Sequence, residues 1–315
     1  MPSARRDRNP RAPIVSRRRF LSWLAALPFV PASVAHAMSP GQGVMVLRRR
    51  PRRPSRAFAP FPRFADTGLF GAGTYQMGDA SLLGSAVAGG VRLVDTSPDY
   101  RDGDTERAVG RVLEEAAGPV FVMTQIPVDA WRFENRAAAF DRALRRSLGR
   151  LRRDRVEALL VRNAEPDQIG DPEFRRFAEE ARDRGLVGRI GVSGHGTDLE
   201  PVLEIAALDP LIGIVLYGAH LAGFGRVPDL LPRVRERGVL LVAMKTREAA
   251  LGDRAPGWEA EEARRRHRPW DAAWDADFTR RALARAVAPG GADSAVLSLR
   301  AADDTRAVLG GDPNR

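Results

Sequence analysis

Residues 91–126 read VRLVDTSPDYRDGDTERAVGRVLEEAAGPVFVMTQI. Two short apolar runs, 91–96 and 119–125, bracket a stretch at 105–116 in which Arg and Glu alternate with Ala, Val and Leu at helical spacing. That order is strand, helix, strand. Two strands joined by a helix pair parallel, because the chain must cross back over one face of the sheet before the second strand begins.

The same alternation extends in both directions. Candidate strands fall at 68–72, 91–96, 119–125, 156–162, 188–194, 212–217, 238–244 and 294–299. Helical patterns separate them at 80–88, 105–116, 134–151, 173–184, 198–208, 228–237, 274–288 and 303–309. Gly118, Gly185 and Gly238 follow helices, where left-handed caps are expected. Eight repeats of strand and helix predict an α/β protein whose sheet closes into a (β/α)8 TIM barrel, which needs roughly 250 residues. An open doubly wound sheet is the alternative. No G-x-G-x-x-G follows an early strand, and Gly71-Ala72-Gly73 lacks the third glycine and the helix start, so no dinucleotide fingerprint supports it.

Charge is distributed unevenly. The formal net charge is +10, but residues 1–63 carry fourteen Arg and one Asp, leaving 36 basic and 39 acidic residues in 64–315. The basic character therefore belongs to an N-terminal arm. The arm lacks the aromatic interleaving of a nucleic-acid binder, so no nucleic-acid partner is expected. Cysteine is absent, which excludes disulfides, thiolate metal sites and cysteine nucleophiles. Lys245 is the only lysine, so any chemistry that needs an amine side chain must use it.

Residues 1–37 read as an address. Ser16-Arg17-Arg18-Arg19-Phe20-Leu21 precedes an apolar run to Ala35, broken by Pro28 and Pro31, and Ala35-His36-Ala37 offers a small-residue cleavage pattern. The run is too short and proline-rich for a stable membrane span, which takes ~20 apolar residues. Twin arginine followed by x-Phe-Leu resembles the signal of the twin-arginine route. It implies that the twin-arginine export machinery is a partner and that the protein is exported folded, to the periplasm or beyond. A disordered arm or a retained anchor is the alternative. Residues 38–63, rich in Pro and Arg, read as a disordered linker, with the folded domain at 64–315.

Val91-Arg92-Leu93-Val94-Asp95-Thr96-Ser97-Pro98-Asp99-Tyr100, followed by Glu106 and Gly110, resembles the second-strand signature of the aldo-keto reductase family. Four further stretches are similar in the family's order: 67–78, Phe121-Val122-Met123-Thr124, Ser147-Leu148-Gly149-Arg150-Leu151 with Asp154, and 185–193. The resemblance spans about residues 64–310. It implies hydride transfer between a nicotinamide cofactor and a carbonyl, with Tyr as proton donor, Asp and Lys tuning that Tyr, and His orienting the carbonyl. A neighbouring ammonium lowers a phenol's pKa, which is ordinarily ~10. On this resemblance Asp95 and Tyr100 match, whereas Gln125 stands at the Lys position and Arg162 at the His position. Gln125 can hydrogen-bond but brings no charge. Arg162 brings permanent charge and several donors but cannot relay a proton. It could polarise a carbonyl, stabilise a phenolate or hold a substrate carboxylate.

The resemblance also implies a cofactor side, with NADP as the expected cofactor. Ser193 matches the serine that touches the carboxamide, but Gly194 stands where Asn is expected. Ile214 takes the sixth-strand Gln position and Met244 that of the stacking aromatic. Leu297-Ser298-Leu299-Arg300 replaces the phosphate loop, and Arg300 could pair a 2′-phosphate. His195, His220 and Lys245 fall at or past the ends of the fifth, sixth and seventh strands. Lys245 is read as a phosphate or structural contact, with a Schiff base as the alternative. The His spacing does not point to a metal site, and none is expected. Trp258, Trp270, Trp274 and His267 read as barrel cover or a lid.

Three functions follow. The first is an NADP(H)-dependent oxidoreductase that reduces a small carbonyl compound or oxidises an alcohol, using Asp95, Tyr100, Gln125 and Arg162. The second is a catalytically degenerate barrel retained for binding or interaction. The third is different chemistry at the same mouth through Lys245 or the histidines.

Overall fold

The computed structural model describes residues 57–223, 225–247 and 276–310. The chain divides into two compact units, Met1–Arg53 and Pro54–Arg315, and every described residue belongs to the second. The candidate signal at 1–37, most of the 38–63 linker, and Trp258, Trp270, Trp274 and His267 lie outside the described residues.

Eight parallel strands close into a barrel in sequence order, as expected. They are β1 Gly71–Gly73, β2 Leu93–Asp95, β3 Phe121–Ile126, β4 Val156–Val161, β5 Val187–Gly194, β6 Ile212–Gly218, β7 Leu240–Met244 and β8 Ser294–Ser298. Closure is made by β8, whose Val296, Leu297 and Ser298 lie in register with Gly71, Ala72 and Gly73 of β1. The described helices are α1 Phe64–Thr67, α2 Ala80–Ala88, α3 Asp104–Glu114, α4 Arg136–Leu151, α5 Pro166–Gly170, α6 Pro172–Asp183, α7 Leu199–Ala206, α8 Val227–Glu236, α9 Ala276–Ala286 and α10 Ala302–Leu309.

Local chemistry explains the boundaries. Asp79 accepts from the Ser81 amide to start α2, and Asn135 accepts from the Ala138 amide to start α4. At α6 the Asp171 carboxylate accepts from the Glu173 and Phe174 amides, and Pro172 occupies the first helical position. Helix α4 buries Phe140, Ala143, Leu144, Ser147, Leu148 and Leu151, a single face at helical spacing. Gly185 and Gly238 do adopt positive φ, at 69° and 78°. Gly118 is not among the positive-φ residues; α3 already ends at Glu114.

The first strand is shorter and later than expected. Phe64–Thr67 forms one helical turn that Gly68 ends at φ 64°, so residues 68–70 lead into β1 rather than belong to it. Packing also begins earlier than Phe64. Ala59 is buried and Phe61 packs on the barrel core, with its ring 5.1 Å from Phe121 and edge-on to it. Phe121 opens β3, so this segment plugs the floor of the barrel, at the strands' N-terminal ends.

The floor is tightly satisfied. The buried Glu157 carboxylate accepts from the Ala59 amide at 3.3 Å, the Val122 amide at 2.9 Å and Arg153 at 2.8 Å. Asp293 pairs with Arg63 and accepts from the Leu241 amide at 2.8 Å. Above the floor the interior is apolar: Leu93, Phe121, Met123, Ala158, Leu160, Ile214, Leu216, Leu240, Val242 and Val296. Ile214 belongs to this interior, fully buried at mid-strand, so the residue at the family's Gln position is a core residue here. Alternate residues of each strand point inward. The inward series therefore continues from Leu93 to Asp95, from Met123 to Gln125 and from Leu160 to Arg162, and the core turns polar at the opposite rim.

Candidate active site

The site is built by the residues that end β2, β3 and β4. Asp95 is the last residue of β2, and its carbonyl accepts from the amide and the hydroxyl of Thr74, both at 3.0 Å. The chain then turns through Thr96 and Ser97, where the Ser97 hydroxyl accepts from the Asp99 amide at 3.3 Å. Tyr100 follows in a single 3-10 turn, Tyr100–Gly103, in which Arg101, Asp102 and Gly103 all have positive φ (51°, 52° and 84°). Two successive non-glycine residues in that region are strained. The turn is held from outside. A Cβ at Gly103 would lie 2.5 Å from the Arg150 guanidinium, so Arg150 lies directly against the turn. Arg150 pairs at 3.2 Å with the buried Glu106, which also accepts from the Thr124 hydroxyl at 2.7 Å.

The four residues matched by sequence do come together. Gln125 stands close enough to both Asp95 and Tyr100 to oppose the upward shift of each group's pKa. The Arg162 guanidinium lies 5.4 Å from the centre of the Tyr100 ring and pairs with Asp99 at 3.0 Å. Asp99 also accepts from the Val128 amide at 3.4 Å. Arg162 therefore clamps the Tyr100 loop through the ring face and the adjacent carboxylate.

Burial dominates the electrostatics. Loss of water pushes the Asp95 carboxyl up to about 7, against weaker opposition from the Gln125 hydrogen bond and the Arg162 charge. The same loss of water, reinforced by Asp95, pushes the Tyr100 phenol well above its ordinary range, and Arg162 and Gln125 offset only part of it. Among the described residues Asp95 Oδ1 and Gln125 Oε1 are buried without a hydrogen-bond partner. Buried polar atoms of that kind carry a desolvation cost of about 1–3 kcal/mol each unless something binds there.

Tyr75, which the sequence reading left without a role, packs its ring 5.3 Å from Tyr100 at 60°, and the Arg300 guanidinium lies 5.9 Å from its ring centre. Asp99 was likewise unassigned. Its place beside Tyr100, with a buried-strand Arg needing a counter-charge, is the signal that could have found it.

The cofactor-side residues are more dispersed. Ser193 is buried at the end of β5, where its hydroxyl accepts from the Asn163 amide at 3.2 Å and keeps its own proton to donate. A Cβ at Gly194 would lie 3.3 Å from Leu199, so a side chain there would press on the first turn of α7. Lys245 directly follows β7 at φ 56°, with its Nζ buried. Met244 is partly buried on the barrel core. Arg300 follows β8, and its amide and that of Ala301 donate to Asp304 at 2.7 and 2.9 Å. Asp304 also pairs with the buried Arg247, so this carboxylate already fills the N-terminus of α10. His195 and His220 flank Gly218, where a Cβ would lie 3.0 Å from His195 and 2.7 Å from His220. Among the described residues no three His, Asp or Glu side chains group as metal ligands, and no helix is long and apolar enough to cross a membrane.

Known proteins give this geometry a context. The family described as the Aldo/keto reductase family matches residues 71–274. The curated 2,5-diketo-D-gluconic acid reductase B of Corynebacterium sp. (strain SHS752001) is 33% identical over 147 residues, 45% of this chain and 48% of that protein. The chain thus spans about half the length of that curated relative. Among solved structures, an aldo/keto reductase from Klebsiella pneumoniae in complex with NADP and acetate is similar with a TM-score of 0.57 at 21% identity, over 76% of this chain and 83% of that one. An aldo-keto reductase from Bacillus halodurans is similar with a TM-score of 0.55 at 19% identity, over 76% and 85%. At these identities the structural likeness speaks to fold.

Proposed function

Because the chain belongs to the aldo/keto reductase family, we propose that it is an oxidoreductase that reduces a small carbonyl compound, or oxidises the alcohol, with NADP(H). The observation that carries this reading is the convergence of Asp95, Tyr100, Gln125 and Arg162 at one rim of the closed barrel.

The residues at the mouth fit a dinucleotide. Asp95 Oδ1 and Gln125 Oε1 are buried acceptors awaiting a partner. The Ser193 hydroxyl can donate to a carboxamide, and Lys245 and Arg300 stand past β7 and β8 to meet phosphate charge. The N-terminus of α10 contributes less, because Asp304 already takes its amides. NADPH is also the ligand named for another Klebsiella pneumoniae aldo-keto reductase of this fold. When bound, NADPH supplies a hydride to a carbonyl carbon. Tyr100 donates its proton to the carbonyl oxygen, with Gln125 beside it, and Arg162 fixes the ring. The neighbouring Tyr75 packs its ring against that of Tyr100.

The test uses the full-length protein. NADPH is titrated against tryptophan fluorescence, and carbonyl reduction is then followed by NADPH absorbance. Tyr100→Phe should lower turnover roughly 10²–10⁴-fold with NADPH affinity unchanged. Absence of NADPH binding at millimolar concentration would overturn the reading. It would favour a second one, a degenerate barrel kept for binding, which rests on Gln125 in place of an ammonium and on the commitment of Arg162 to Asp99. Export of the folded protein by the twin-arginine machinery, to the periplasm or beyond, belongs to the same proposal. Replacing Arg17 and Arg18 by Lys should leave the protein in the cytoplasmic fraction; unchanged export would remove that part.

A further inference from the structure

The outer wall of the barrel carries a cluster that the reductase reading does not use. Arg107 and Arg111 of α3, Arg146 and Arg150 of α4, and Arg152 just past α4 line one hollow of about 460 Å³, together with Gly149. The two helices approach closely enough to build it because Gly110 has no side chain: a Cβ there would lie 2.4 Å from the Arg150 carbonyl oxygen. Arg107 and Arg111 stand four residues apart, as do Arg146 and Arg150, so each helix brings a like-charge pair to the same hollow. Like charges at that spacing oppose helix formation. The negative end of α4 accounts for cations at 150 and 152. It does not account for Arg107, which stands near the start of α3, where the helix dipole opposes positive charge.

Three of the five guanidinium groups have carboxylate partners. Arg107 pairs with Asp104 at 2.7 Å, Arg150 with the buried Glu106 at 3.2 Å, and Arg152 with Glu114. Arg111 and Arg146 pair with no carboxylate among the described residues. Both are exposed, so the hollow presents two uncompensated positive charges to solvent.

We propose that this hollow binds a small soluble phosphate compound with two or more negative charges, of the diphosphate class. The planar guanidinium fork matches a pair of phosphate oxygens, and several forks around one space favour an anion with several oxygens. The volume lies within the ~300–1,000 Å³ of small-molecule sites. The lining holds no apolar or aromatic side chain. The exposed large hydrophobics among the described residues, Tyr75, Val128, Phe133 and Leu208, all lie outside it. The site therefore has no apolar anchor for a lipid surface and no ring on which a nucleobase could stack.

Arg150 also links the hollow to the mouth. Its guanidinium lies against Gly103, at the end of the turn that begins with Tyr100, and it pairs with Glu106, which accepts from Thr124 beside Gln125. A bound phosphate competes with Glu106 for Arg150 and draws it off that turn, so turnover falls. This link rests on the reductase reading; the site itself does not.

Full-length protein is titrated with pyrophosphate in a calorimeter. Arg111→Gln with Arg146→Gln should weaken binding by roughly tenfold or more, the loss of two charge-assisted contacts, with an unchanged urea midpoint. Lys245→Gln and Arg300→Gln, at the other cations past the strand ends, should leave it in place. Unchanged binding in the double variant overturns the proposal, because the anion then sits on the Arg-rich arm or at the mouth. Capture of the protein by phosphatidylglycerol vesicles without pyrophosphate binding overturns it in favour of a lipid surface. At saturating NADPH, pyrophosphate should lower kcat for carbonyl reduction in the wild type and not in the double variant. Binding without that fall overturns the link through Arg150. A chain that binds pyrophosphate in the hollow but binds no NADPH loses the reductase reading and keeps the site.

Discussion

The two ends of this barrel handle buried charge in opposite ways. At the floor, Glu157 is fully enclosed and both of its carboxylate oxygens find donors: two backbone amides and Arg153. At the mouth, Asp95 is also buried, but one of its oxygens has no hydrogen-bond partner among the described residues. Glu157 is a paired strut. Asp95 is a carboxyl kept close to its neutral form. A buried carboxylate stabilises only when paired and hydrogen-bonded, so the difference separates a structural end from a reactive one.

The largest effect should come from the floor. Glu157→Ala leaves Arg153 and two amides without their acceptor and should cost about 3–5 kcal/mol, read as a lower urea midpoint. If the loss is under 1 kcal/mol, Glu157 is not a strut of the floor. At the mouth the corresponding change should go the other way. The folded Asp95 carboxyl is raised to about 7 from an ordinary 3.8, so the folded chain binds the extra proton between those values. Stability from this group is complete below pH 4 and is lost as pH rises through 7, by up to roughly 4 kcal/mol. Asp95→Asn should therefore be neutral at pH 4 and stabilising at pH 8, measured by paired denaturant melts. A destabilised variant at pH 8 would erase the contrast.

Smaller effects sharpen the comparison. Phe61→Ala opens the floor plug and should cost about 2 kcal/mol, less than a fully buried Phe because the ring is only partly covered. Arg162→Gln should change stability by no more than about 1 kcal/mol, as for other partly exposed pairs. It should nevertheless slow turnover roughly ten- to hundredfold, because the Tyr100 loop loses its clamp. Equal effects on stability and rate would make Arg162 a floor-like residue.

Much of this architecture was legible in the sequence, and the exceptions share a cause. Long amphipathic patterns such as 134–151 and 173–184 placed α4 and α6 within two residues of their observed ends. Residues 68–70 misled because one helical turn has no period to detect, and Gly68 ends that turn where a strand was expected to start. The turn at Tyr100–Gly103 and the short helix α5 were invisible for the same reason. At the site, strand ends marked Asp95, Gln125 and Arg162 directly, because inward residues of a barrel strand alternate. The Arg162–Asp99 pair and the Tyr75–Tyr100 contact were not legible, since each joins loops from different repeats. The start of packing was also missed. Phe58 and Phe61 sit in a Pro- and Arg-rich stretch whose composition hides their contacts with the floor.

Gly103 couples the outside of the protein to its interior. The guanidinium resting on it belongs to Arg150, which shares a solvent-facing hollow with Arg107, Arg111, Arg146 and Arg152. The twisted backbone above it ends at the phenol. Any side chain introduced at 103 must drive a wedge between the two, so a lesion on the barrel's outer wall would be felt as a misaimed hydroxyl at its centre.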